Sequence, residues 1–285
     1  MCCTEGQWSF LIAYPAVSLS IILLWQSVMI RPLRIFSVVL HEFSHAAAVL
    51  LSCGTVHDVS VNRLEGGVIT WSPRFAIFTK CMFPIVAASG YLGVSVFGTA
   101  LLLSIGIPEW RVGMLRVLAC LLALASLVAV RRAALRFEAT CIAVIGMLSF
   151  VCSMRPDAIF TWYFMLFGSS MLCTYAANDV YDDTIRRSFV DSDASHFAIA
   201  LCGDVSKSRL VGTLWYAVCV VLHLAGAILT VSNLGEGADI PLDEVPSSRF
   251  VGYLWGLLFA ALLSGIDVIR LQNATARLRQ NNQGV

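Results

Sequence analysis

His41, Glu42 and His45 stand together in the stretch "SVVLHEFSHAAAVLL", an otherwise apolar run. On a helix, two histidines four residues apart lie on one face, one turn apart. Two imidazoles so placed can ligate one Zn²⁺ at roughly 2.0–2.1 Å. Glu42 projects close beside them and can take a proton from a water molecule activated by the metal. This HExxH spacing is the arrangement of zinc peptidases. An ionisable group at the centre of a bilayer costs roughly 2.5 kcal/mol or more. Three such groups in one apolar helix therefore call for a function or a set of partners.

A catalytic zinc takes three protein ligands and keeps a fourth position open. The best source of the third is "YAANDVYDDTIRRSFVDSDASHFA", which directly follows an apolar run. If the helix continues, Asp179, Asp182 and Asp183 share one face. Asp182 can pair with Arg186 and Asp183 with Arg187, each at i,i+4. Asp179 has only acidic neighbours at those spacings and is the aspartate nearest the membrane, so it is the expected ligand. Asp193, Asp182 and Asp183 are the alternatives. Asp193 follows an N-cap at Ser192 or Asp191, where the helix dipole already accounts for an acid. His57 and Glu65 read as loop residues rather than ligands, and His223 as a hydrogen-bonded core residue.

These groups must be positioned by membrane helices. The chain has 285 residues, 58% hydrophobic and 13% charged, with a mean hydropathy of +0.81. A soluble domain carries about 25% charged residues. Runs of about 20 apolar residues can cross a bilayer as helices. They fall at Ser9–Ile30, Arg34–Gly54, Met82–Ile107, Val112–Val130, Phe137–Cys152, Ala158–Asn178, Leu210–Ser232 and Phe250–Ile266. The expected fold is an all-α polytopic membrane protein with about eight transmembrane helices. It forms a single integral membrane domain over 1–285: a core of about 34–200, extra spans over about 210–266 and a tail over 267–285.

Basic residues gather on the side that holds residues 63–80, 131–136, 186–209 and the tail. By the positive-inside rule, that side is cytosolic, and an even number of spans then puts both termini in the cytosol. Most cysteines lie in or beside apolar runs, where Cys behaves as a small hydrophobe. No basic block interleaved with aromatics suggests a nucleic-acid partner.

After the HExxH helix, "VHDVSVNRLEGGVITW" alternates apolar and polar residues around Glu65, Gly66 and Gly67, the signal of a β-hairpin. Such a hairpin can pair an extended peptide along its free edge, which makes Gly66 and Gly67 candidate substrate-binding positions.

Taken in order, "HEFSHA", "EGGV", "ASGYLG" ending at Gly93, "NDVYDDT" and "SDASHFA" resemble the site-2 protease family of intramembrane zinc peptidases. The likeness is to its divergent branch in fungi, plants and bacteria, and covers about residues 34–200. It implies a Zn²⁺ site in the membrane with His41 and His45 as ligands and Glu42 as general base. Better-known members take their third ligand from a Leu-Asp-Gly motif that this chain lacks. Gly90, Tyr91 and Gly93 match the branch's glycine-containing span, and no PDZ-like insertion is present. The implied activity is hydrolysis of peptide bonds in or near the transmembrane helix of a membrane-protein substrate. The alternatives are a catalytically inactive relative acting as a membrane scaffold or chaperone and, further off, a metal transporter.

Overall fold

The computed structural model describes residues 3–25, 27–61, 66–74, 79–186 and 192–235. The elements are α1 (Glu5–Leu23), α2 (Arg31–Leu51), β1 (Thr55–Val61), β2 (Gly67–Ser72), α3 (Thr79–Gly106), α4 (Pro108–Val130), α5 (Arg136–Met154), α6 (Ile159–Val180), α7 (Asp193–Cys202) and α8 (Ser208–Gly235). Among the described residues, seven helices are long and apolar enough to cross a membrane. The expected eighth span, Phe250–Ile266, and the tail lie outside the described residues. The expected hairpin is present: β1 and β2 pair antiparallel, with Val61 opposite Gly67 and Thr55 opposite Ser72.

Helix α3 organises the bundle. Helix α2 packs antiparallel to it, with Ala48 and Val49 clustered on Val86. Small residues allow the close approach: a methyl group at Gly90 would overlap the His41 and His45 rings, and one at Gly93 would overlap Ser44. Helix α6 runs antiparallel on another side, where Gly98 abuts Leu172 and Cys173. Helix α8 runs parallel to α3. His223 meets Ser95 at 3.3 Å, as expected of a core histidine, and Gly226 sits against Thr99. Helices α4 and α5 form an antiparallel pair in which Ser149 donates to the Leu115 carbonyl at 2.8 Å.

Burial separates centre from rim. The most apolar windows of α2, α6 and α3 are 67%, 61% and 56% buried, whereas those of α1, α8 and α4 are 17%, 22% and 28% buried. The outer helices turn large apolar side chains outward, such as Leu127, Phe137, Leu210 and Ile228. This is the surface a bilayer covers, and it leaves α2, α3 and α6 to shield the polar groups.

One contact set departs from simple alternation. Gln7 Nε2 donates to the Val231 carbonyl at 2.9 Å, and Thr4 Oγ1 to the Leu234 carbonyl at 3.4 Å. The start of α1 therefore lies at the end of the bundle where α8 finishes. A cytosolic start to the first of eight alternating spans would put those two at opposite ends. The end of α2 lies with the start of α3, where Gly54 abuts Met82. Helices α1 and α2 thus share one net traverse. In keeping with this, Arg31 at the start of α2 pairs with Glu138 in the first turn of α5 at 3.3 Å.

Candidate metal centre

The middle of α2 carries His41, Glu42 and His45, all buried. The face of His41 and His45 meets α3 at Gly90, where a glycine leaves room for the two rings directly against the backbone. His45 Nδ1 lies 2.6 Å from the Val86 carbonyl and 3.3 Å from Ser89 Oγ. The carbonyl can only accept, so Nδ1 carries the proton and Nε2 of the neutral ring presents a lone pair. A backbone carbonyl behind a ligating histidine fixes both tautomer and ring orientation.

The third group comes from α7. His41 Nε2 lies 2.9 Å from Asp193 Oδ2, His45 Nε2 lies 3.2 Å from it, and the two Nε2 atoms are 3.0 Å apart. Among the described residues this is the one group of three or more His, Cys, Asp or Glu side chains close enough to hold a metal ion. The edges of a tetrahedron around zinc at roughly 2.0–2.1 Å are about 3.3 Å. The three atoms therefore stand near the spacing that zinc requires. They are also a donor set of two lone-pair nitrogens and one carboxylate, of the kind found in catalytic zinc sites. Burial works against the charged form of Asp193, but the nearness of the two imidazoles outweighs it and holds the carboxyl below the usual range.

The expected third ligand, Asp179, is not in this set; the alternative Asp193 is. The reason lies in the local structure on both sides. Ser192 caps α7, its hydroxyl accepting from the Ser195 amide at 3.3 Å. Ser192 therefore does the capping, and the Asp193 carboxylate is left to reach the histidines. On the other side, α6 runs into a π-helical turn at Tyr181–Arg186. Such turns concentrate at functional sites. There Asp182 pairs with Arg186 at 3.0 Å, as the spacing predicts. Asp183 accepts from Tyr91 Oη at 3.1 Å. Its expected partner, Arg187, lies outside the described residues. Asp179 hydrogen-bonds with Tyr175. His57 is held by Ser72 at 2.8 Å across the hairpin, away from the cluster; Glu65 lies outside the described residues.

Glu42 is buried beside the ligand set, and its carboxyl packs on Gly67, where a methyl group would overlap it. The hairpin's second strand thus begins against the glutamate. Sequence reasoning singled out Gly66 and Gly67 as substrate positions. The structure adds that Gly67 also makes room for Glu42. Tyr91, noted only as part of a glycine-containing span, stands edge-on to His41 with ring centroids 4.6 Å apart.

A multi-pass helical bundle with an HExxH face and a convergent aspartate has the build of a membrane metallopeptidase. The chain belongs to the Peptidase M50B-like family, whose model matches residues 14–230. That family is one of membrane-embedded, zinc-dependent peptidases. No curated protein and no solved structure matches the chain.

Proposed function

We propose that the protein is an intramembrane zinc endopeptidase that cuts membrane-protein substrates in or near their transmembrane helices. The observation that carries the reading is the convergence of His41, His45 and Asp193 beside the buried Glu42. In this reading those three residues hold Zn²⁺, with Asp193 as third ligand in place of Asp179. Bound zinc supplies a Lewis acid that polarises the scissile carbonyl and lowers the pKa of water to about 7.

The chain's own residues supply the rest. Glu42 accepts the proton of the attacking water and then delivers it to the leaving amine. The packing of its carboxyl on Gly67 limits where it can point. His45 is held in the lone-pair tautomer by the Val86 carbonyl. An extended substrate segment paired with the free edge of β2 at Gly66 and Gly67 would pass Glu42, and main-chain pairing of this kind accepts many sequences. The helical substrate must unwind locally, because an intact helix keeps its carbonyls hydrogen-bonded.

The site lies toward the end of the bundle where α3 and α8 begin and α4 and α6 finish. That end carries Arg131, Arg132, Arg136, Arg186, Lys207 and Arg209, so the positive-inside rule assigns it to the cytosol. The N-terminus, against the far end of α8, then lies on the opposite side.

The test is Glu42→Gln. Glutamine keeps the size and most of the hydrogen bonding but cannot accept the proton. Cleavage of a co-expressed membrane-helix substrate should fall by about 10²–10⁴-fold, with zinc content unchanged. A scaffold would keep partner binding and cellular phenotype in that variant. Full cleavage by Glu42→Gln would falsify the mechanism, and loss of zinc would make Glu42 a ligand.

A further inference from the structure

The two candidate histidine ligands are held in different ways. His45 Nδ1 lies 2.6 Å from the Val86 carbonyl, so a hydrogen bond sets its ring. His41 has no such bond among the described residues. Its Nε2 faces Asp193 and His45, and its Nδ1 is buried without a hydrogen-bond partner. The aromatic side chain against its ring is that of Tyr91. The two rings stand at 76° to each other with centroids 4.6 Å apart. A metal-ligating histidine takes its orientation from an outer partner. For His41 the partner on this side is an aromatic wall.

A wall orients a ring only if it is itself fixed. Tyr91 is 3% exposed, and three neighbouring elements hold it. Its hydroxyl donates to Asp183 Oδ2 at 3.1 Å, in the π-helical turn that follows α6. Its ring centroid lies 5.9 Å from that of Trp215 on α8. It shares an apolar cluster with Ala194 and Ala198 of α7. Ala194 directly follows Asp193. The side chain that walls His41 therefore also seats the helix that carries the third candidate ligand. The hydroxyl is the one polar atom of that side chain, and a bond to a carboxylate is of the stronger, charge-assisted kind.

We propose that Tyr91 is a positioning residue for the metal centre, anchored through its hydroxyl to Asp183, and that it sets the His41 ring and the seat of Asp193 together. The proposal rests on His41 and Asp193 being zinc ligands. It also gives Asp183 a use. Its neighbour Asp182 turns out to Arg186, whereas Asp183 turns in to Tyr91.

The experiment measures zinc dissociation constants of the purified full chain by competition with a chromophoric chelator. Visible spectra of the Co²⁺-substituted protein are recorded at saturating cobalt. Tyr91→Phe keeps the ring and removes the anchor; Tyr91→Leu removes the wall as well. Loss of an outer partner weakens metal binding about 10–100-fold. Tyr91→Leu should fall in that range and Tyr91→Phe near its lower end, each with altered cobalt bands. Asp183→Leu should match Tyr91→Phe, since both break one bond. Asp183→Asn keeps an acceptor oxygen and should stay within about threefold of the native protein. Tyr91→Phe combined with Asp183→Leu should bind zinc no more weakly than either single variant.

Native affinity in Tyr91→Phe would overturn the proposal, and so would losses that add in the double variant. Equal weakening by Asp183→Asn and Asp183→Leu would mark a charge effect and overturn the anchor. Weaker binding with unaltered cobalt bands at saturation would mark a general loss of stability and overturn the positioning role. Where Tyr91→Leu does not accumulate, Tyr91→Phe and the two Asp183 variants decide alone. Asp193→Ala tests the underlying reading separately. If that variant keeps native affinity, the ligand set is wrong whatever Tyr91 does.

Discussion

Gly90→Ala probes the packing that creates the site without removing any ligand. The new Cβ would stand 2.5 Å from His41 Cε1 and 2.6 Å from His45 Cε1. Non-bonded carbons sit best at roughly 3.5–4.0 Å, so α3 or the two rings must retreat by about 1 Å. Overpacking of this kind typically costs about 1–3 kcal/mol. Here the neighbours that would give way are the ligating rings, because on its other side α3 is held against α6 and α8. At about 1.4 kcal/mol per factor of ten, zinc binding should weaken by about 5- to 150-fold. Chelator competition on the detergent-purified protein reads this directly. Gly113→Ala is the control: it lies inside α4 and a Cβ there meets nothing within 4 Å. It should leave zinc affinity unchanged and add up to about 1 kcal/mol of helix stability. Native zinc affinity in Gly90→Ala would refute the claim that this glycine sets the ring positions.

Two further outcomes follow from the same geometry. Gly67→Ala would press on Glu42 Cγ and Cδ, at 2.5 and 2.7 Å, without touching a ligand. Its kcat should drop at least about tenfold, on the scale of general-base displacement, with zinc stoichiometry retained; an unchanged kcat would show that Glu42 has freedom to spare. For topology, an epitope fused before Thr4 should be protected from protease added to the cytosolic face, while a cysteine introduced at Arg132 should react with an impermeant maleimide from that face. Digestion of the epitope would overturn the shared traverse of α1 and α2.

The sequence carried the chemistry further than it carried the depth of each helix. HExxH is legible because its meaning rests on a local period: residues four apart lie one turn apart on one face of a helix. The hairpin was legible for the same reason, through an alternation that needs no tertiary partner. Asp193 was harder, because the position just after an N-cap attracts acids in any helix. What makes it a ligand candidate is the docking of a ten-residue helix, α7, onto α3 and α8, through Ala194 and Ala198 against Tyr91, Val211 and Trp215. No local pattern encodes that docking. Asp179 drew attention on a sound observation, an acid in a membrane helix without a basic neighbour. The structure brings a different acid to the histidines, because α7 and not α6 carries the carboxylate that reaches them. The shared traverse of α1 and α2 was hidden for a different reason. Hydropathy measures whether a segment can cross a bilayer, and α2 passes that test at a mean of 1.3. Yet α2 is the most buried of the seven, and apart from its last turn, where Leu50 and Leu51 are exposed, most of its large apolar side chains face protein. The helix that holds the candidate metal site is apolar because it is enclosed, and that enclosure is what lets His41, Glu42 and His45 sit there at all.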